Sequence, residues 1–155
     1  MKSEPNEIYG VLPYIAPEVL MKEPYTKASD IYSFGMIMLE IFTGRRPYHD
    51  TSHDEDLAIK ICLGSKPEIK CEVPQLFLAL INKCLDDEAQ YRPTAEKLVC
   101  ILKKCLLDLN DEKTKLYKQV EAIKNSAINS SIDYQTHEQA IYTGRRLYFP
   151  KLYNS

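Results

Sequence analysis

The sequence of 155 residues predicts a mainly α-helical fold. Apolar residues recur at spacings of three and four in the stretches 31–42, 76–85 and 98–109, the period that gathers side chains on one helix face. Capping residues stand where those stretches begin and end, and no segment requires a sheet. With 45% apolar residues, the chain can bury the core of one domain.

Residues 1–13 have no periodic pattern and read as loop. Pro13, Pro17 and Pro24 break helices, because each fixes its own φ and restricts the residue before it. One helical turn is expected after Pro17, with Val19 and Leu20 inward, and Met21 to Ser29 reads as a connector. Ile31, Phe34, Ile37, Met38, Ile41 and Phe42 then form a helical stripe. Ser29 or Asp30 is the expected N-cap, and Gly44 the left-handed terminator. Apolar residues also fill most other faces of this helix, which makes it the central, buried one.

Arg45 to Asp56 reads as loop, Leu57 to Leu63 as a short helix stopped by Gly64, and Lys66 to Pro74 as irregular. Pro74 suits the first turn of a helix carrying Leu76, Leu80, Ile81, Cys84 and Leu85. After a charged turn at Asp86–Tyr91, Thr94 caps a helix whose stripe is Leu98, Ile101, Leu102, Cys105, Leu106 and Leu109. Beyond Asp108, Leu116, Val120, Ile123 and Ala127 keep helical spacing; Ser126 to Gln135 is polar and reads as flexible.

A net charge of −2 supplies no electrostatic reason for nucleic acid or membrane partners. The Arg145-Arg146 doublet is too little to change that. There is no basic-then-apolar signal segment and no apolar run long enough to span a bilayer. Five cysteines, odd in number and without a C-x-x-C pair, read as buried free thiols in a reducing, intracellular setting. His49 and His53, among Asp50, Asp54 and Asp56, read as a solvated loop rather than a metal site.

Three islands carry a more specific signal: Tyr14-Ile15-Ala16-Pro17-Glu18, Asp30-Ile31-Tyr32-Ser33-Phe34-Gly35, and Arg92-Pro93-Thr94. In that order they resemble the lower half of the large lobe of a eukaryotic protein kinase, over about residues 8–107. The resemblance implies a partial kinase domain at 1–107, from the end of the activation segment to the last helix, and a helical, flexible tail at 108–155. Tyr-Ser-Phe-Gly after Asp30, with no Trp, looks closest to the tyrosine-kinase-like group.

By the same resemblance Ala16, Pro17, Glu18, Asp30, Gly35 and Arg92 are structural motif residues. Glu18 and Arg92 are implied to form a buried ion pair. Asp30 is implied to hold the backbone of the catalytic loop, beside its plainer reading as an N-cap. Ile37 and Ile41 resemble the support for the apolar column under adenine, and here are expected to serve as core. Gly10, Val11, Leu12, Pro13 and Tyr14 match the segment that receives substrate; Val11 stands where serine/threonine kinases carry Thr. Ser3 and Tyr9 lie where activation-loop phosphorylation occurs, though both also read as ordinary loop residues.

The chemical parts of a kinase are not in these residues. None of the five glycines, at 10, 35, 44, 64 and 144, forms a G-x-G pair. No histidine precedes Arg-Asp, and no Asp-Phe-Gly or strand lysine motif occurs. The expectation is no catalytic, cofactor or metal residue, with ATP and magnesium belonging to complete relatives. Two function classes follow: a piece of a cytoplasmic phosphotransferase, partnered by protein substrate or by another kinase half, or a non-catalytic interaction module. Phe34, Ile37 and Ile41 would lack their usual cover, leaving a sticky face unless the tail folds over it with Leu116, Val120 and Ile123.

Overall fold

The computed structural model describes residues 7–126 and 134–154. The fold is mainly α. In chain order it has β1 (Ile8–Gly10), a 3₁₀ turn (Leu12–Tyr14), α1 (Pro17–Leu20), α2 (Lys27–Thr43), α3 (Glu55–Cys62) and α4 (Gln75–Cys84). A second 3₁₀ turn (Ala89–Tyr91), α5 (Ala95–Leu109), α6 (Lys115–Ser126), β2 (Arg145–Leu147) and α7 (Pro150–Tyr153) follow. No helix among the described residues is long and apolar enough to cross a membrane.

Helix α2 is the axis of the core. It starts one turn earlier than expected: Thr26, not Ser29 or Asp30, is the N-cap. Thr26 Oγ1 accepts from the Ser29 backbone N–H, and Ser29 Oγ accepts from the Thr26 N–H, a reciprocal capping box. A serine at the third helical position takes the role usually given to Glu or Gln. Asp30 is therefore inside the first turn and exposed. At the other end Gly44 sits at φ 66°, and its N–H returns to the Glu40 carbonyl.

The buried face of α2 is Ile31, Tyr32, Met36, Met38 and Leu39, all 7% exposed or less. Ile37 and Ile41 are 46% and 72% exposed, so the stripe expected as core is split. Nothing among the described residues covers those two: α6 packs on α5 instead, with Leu116 buried there. On α4 the inward residue is Phe77, stacked 4.7 Å from Phe42 of α2, while Leu76 is exposed. On α5 Leu98 and Cys105 are buried, whereas Leu106 points to solvent, because a single neighbouring layer accepts a narrower face than the stripe offers. Thr94 Oγ1 caps α5 by accepting from the Lys97 N–H.

Gly35 marks the closest approach of α2 and α4. A Cβ there would lie 2.8 Å from both Cys84 Cβ and Leu85 Cδ2. Gly35→Ala should therefore destabilise the fold by about 1–3 kcal/mol through overpacking, despite alanine's better helix propensity. Chemical denaturation measures this; an unchanged or raised midpoint would contradict the close contact.

The cysteines divide: Cys84 and Cys105 are buried, Cys62 is half-buried, and Cys71 and Cys100 are exposed, correcting the expectation that all five are packed inside. Burial pushes the Cys62 and Cys84 thiols up to about 11, so both stay protonated at neutral pH.

The mainly helical fold also holds one two-stranded sheet that the sequence did not call for. β2 pairs antiparallel with β1 in the register Ile8↔Leu147, Tyr9↔Arg146 and Gly10↔Arg145. Each strand has three residues, too short to show a period of two in the sequence. The pairing brings the end of the chain back to its start, with Leu147, Phe149 and Leu152 buried.

Candidate functional site

The three sequence islands converge around α1 and the start of α2. Arg92, whose side chain has no exposed surface, forms a fork-on-fork pair with Glu18, whose side chain is 12% exposed. Nη1 donates to Oε1 at 2.7 Å and Nη2 to Oε2 at 2.8 Å. Two further donors are also used: Nε to the Asp86 carbonyl at 2.8 Å, and Nη1 to the Ala28 carbonyl at 3.0 Å. Ser29 Oγ donates to Glu18 Oε1 at 3.2 Å, joining the α2 cap to the pair. Burial pushes the Glu18 carboxyl up, but the Arg92 guanidinium, backbone N–H and Ser29 hydroxyl outweigh it and hold its pKa below the ordinary value of 4.5.

The Arg92 guanidinium also stacks on the Tyr32 ring, 5.1 Å from its centroid, and Lys66 lies 5.8 Å from the same ring. Tyr32 is fully buried, and its hydroxyl has no hydrogen-bond partner among the described residues. Burial raises its pKa steeply, so it remains neutral.

Of the segment Gly10–Tyr14, Leu12 and Pro13 are core, while Val11 and Tyr14 face a groove of about 300 Å³. Tyr9, Tyr25, Asp30 and Ser33 line it too, with Ile15, Ala16 and Ser29. The Ser33 hydroxyl donates to the Tyr14 carbonyl at 2.7 Å, and the Tyr14 hydroxyl donates to the Glu40 carboxylate, so α2 fixes the segment at both points. Burial, followed by the bond to Glu40, raises the Tyr14 pKa well above the phenolic value. The Asp30 side chain has no hydrogen-bond or ion-pair partner among the described residues and lines the groove. Ala16 and Pro17 are buried, and Gly35 serves the α2–α4 contact.

Tyr9 is 58% exposed on β1; its hydroxyl donates to Glu7 at 2.8 Å, and Glu7 pairs with Arg146 at 2.6 Å. Ser3 lies outside the described residues.

In the histidine loop Asp50, Asp54 and Asp56 are exposed, as expected of a solvated loop, but His53 is not. His53 is 2% exposed, with Nε2 donating to the Tyr48 carbonyl at 3.0 Å and Nδ1 accepting from the Ile141 N–H at 2.9 Å. Its backbone N–H donates to the Gln139 carbonyl, and its own carbonyl accepts from Arg145. His53 thus fastens the last twenty residues to the loop after α2. The bonds to Gln139, Ile141 and Arg145 span 86 or more positions, so no local pattern could have found them. No group of three His, Cys, Asp or Glu able to hold a metal occurs among the described residues. The residues of the groove do not fit ATP or magnesium, since they offer one free carboxylate and no phosphate-binding loop.

A family model for protein tyrosine and serine/threonine kinases matches residues 3–102. The chain is 33% identical over 102 residues to mouse mitogen-activated protein kinase kinase kinase 4, covering 64% of the chain and 6% of that protein. It is 34% identical over 111 residues to the protein kinase and PP2C-like domain-containing protein of Arabidopsis thaliana, covering 61% of the chain and 17% of the relative. With dual specificity protein kinase shkD of Dictyostelium discoideum it shares 30% over 135 residues, 83% of the chain and 18% of that protein. The chain therefore spans only a small part of these relatives. Residues 3–102 are most of its length, and the chain belongs to the protein tyrosine and serine/threonine kinase family.

Proposed function

We propose that these 155 residues form the lower, substrate-facing part of a kinase large lobe of the tyrosine-kinase-like group, able to hold protein substrate but unable to transfer phosphate alone. The observation that carries this is chemical. Phosphoryl transfer needs a lysine on the phosphates, metal-holding carboxylates and a base in one place, and the groove supplies only Asp30. The Glu18–Arg92 clamp supports the structural half of the reading. Val11 and the dual-specificity name of one relative leave hydroxyl type open to either class. A cytoplasmic setting belongs to the same proposal, as do Ser3 and Tyr9 as phosphorylation positions; the exposed Tyr9 hydroxyl supports the latter.

The test is transfer of radiolabelled phosphate from magnesium ATP to a generic protein substrate by the highly purified chain. No incorporation above a no-protein blank is expected. Magnesium-dependent incorporation that disappears in Glu18→Ala, a variant expected to unfold, would overturn the proposal.

The exposed Ile37 and Ile41 favour a second reading, an interaction module whose partner, such as another kinase half, covers this face of α2. It requires binding of apolar dye or self-association of the isolated chain, and a monomer in sedimentation that ignores the dye would remove it.

A further inference from the structure

A second cavity lies at the opposite, C-terminal end of α2 from the groove. It encloses about 470 Å³ between Thr43 and Gly44, the loop 45–50 and the connector 66–71, and Tyr134 from the tail forms one wall. That size is within the range of small-molecule sites. Four cations line it, in a chain whose net charge is negative.

Two of them are already engaged: Lys66 pairs with Asp87, and Lys70 with Glu68. Arg45 and Arg46 have no carboxylate within ion-pair distance among the described residues. Both instead lie over tyrosine rings, Arg45 at 5.6 Å from the centroid of Tyr134 and Arg46 at 4.9 Å from that of Tyr142. A guanidinium resting on a ring keeps its N–H edge free, the edge that grips phosphate bidentately. His49 stands against Tyr134, ring centroids 4.6 Å apart, and extends the aromatic wall. Its Nδ1 is buried with no partner among the described residues, a state that protein interiors rarely leave unfilled.

We propose that this cavity binds a phosphate monoester carried on a flat ring, the arginines taking the phosphoryl oxygens and the Tyr134–His49 wall taking the ring. Asp50 and Glu68 are the opposing charges; Asp50 is exposed, and Glu68 is exposed and paired with Lys70. The carbonyl end of α2 also disfavours an anion, which makes the two arginines indispensable. The site does not depend on the substrate groove or on any kinase activity.

Calorimetric titration of the full chain tests it, with phenyl phosphate, inorganic phosphate, adenosine monophosphate, and a tyrosine peptide in phosphorylated and unphosphorylated forms. Saturable binding of phenyl phosphate, tighter than that of inorganic phosphate and weakened by salt, is expected. Arg45→Ala or Arg46→Ala should each weaken it about tenfold, and Tyr134→Leu should remove the advantage of the ring while leaving inorganic phosphate unaffected. Thermal melts of each variant separate lost binding from lost folding; should Arg46→Ala unfold, Arg45→Lys, which keeps charge but loses the fork, still tests the contact. Tighter binding of the phosphopeptide assigns the ring to a protein, and tighter binding of the nucleotide to a small metabolite; both outcomes support the site. No binding of any probe at millimolar concentration overturns it, as does equal binding by the arginine variants or by the unphosphorylated peptide.

Discussion

Replacing Arg92 with alanine will destabilise the fold by about 3–5 kcal/mol. The loss has two parts. Glu18 keeps only Ser29 and backbone donors around a carboxylate that is 12% exposed. The carbonyls of Asp86 and Ala28 also lose the guanidinium as a donor. Glu18→Gln should also be severe, because it leaves a guanidinium with no exposed surface without its counter-charge. The double variant will lose less than the sum, since neither charge is then stranded. Urea denaturation of the four proteins measures the coupling; strict additivity would mean that the contact carries no energy.

The same pair sets a pH dependence. The Glu18 pKa is depressed in the folded state, so its contribution is fully present above the unfolded value, near 4.5, and fades as pH falls through the lower folded value. Melting temperature should drop below about pH 4.5, and that drop should be shallower in Glu18→Gln, whose side chain does not titrate. An equally steep fall in both proteins would place the acid sensitivity elsewhere.

Removing the last thirteen residues is the second large effect. They contain β2 and α7 and bury Leu147, Phe149 and Leu152 to 6% exposure or less. Each such side chain contributes roughly 1.5–3 kcal/mol on burial, offset in part by the entropy of ordering the segment. Truncation after Tyr142 also removes the Arg145 bond to His53, the Lys151 N–H bond to Glu55 and the Lys22–Tyr153 contact, and it leaves β1 an unpaired edge. The truncated chain should lose cooperative unfolding or aggregate on purification. The single change Phe149→Ala, at about 3–5 kcal/mol, tests the point without shortening the chain. A truncated protein that melts like the full one would show that the tail only rests on the surface.

The tail also shows why part of the fold was not legible in the sequence. Helices α2, α4 and α5 announce themselves through periodicity, because each is long enough for the period of 3.6 to repeat. A three-residue strand offers no period, and its partner is more than 130 positions away. His53 is a similar case. Locally it is a polar residue among acids, and only the arrival of Ile141 and Arg145 turns it into a buried anchor. Leu76 and Leu106 fail differently: a stripe tells which residues could face a core, not how wide a face the neighbouring helix covers.

For the site, the three motif islands carried the information. Ala16-Pro17-Glu18, the Asp30 block and Arg92 were readable because their residue types and order are specific, and their resemblance implied a meeting of Glu18 with Arg92. Helix α2 starts one turn before the expected cap: serine and aspartate are both good caps, and the competing Thr26 prevails because the Ser29 hydroxyl oxygen can accept from the Thr26 N–H.

By itself, then, the sequence determined the helical class, the kinase resemblance and the absence of the phosphate-handling motifs, because all three are properties of local pattern and residue identity. The tertiary structure alone decided that Asp30 stands exposed in a groove, that Ile37 and Ile41 remain uncovered, and that the tail is part of the fold. Those outcomes depend on which segments, distant along the chain, share one place in space, and no local period or motif encodes that.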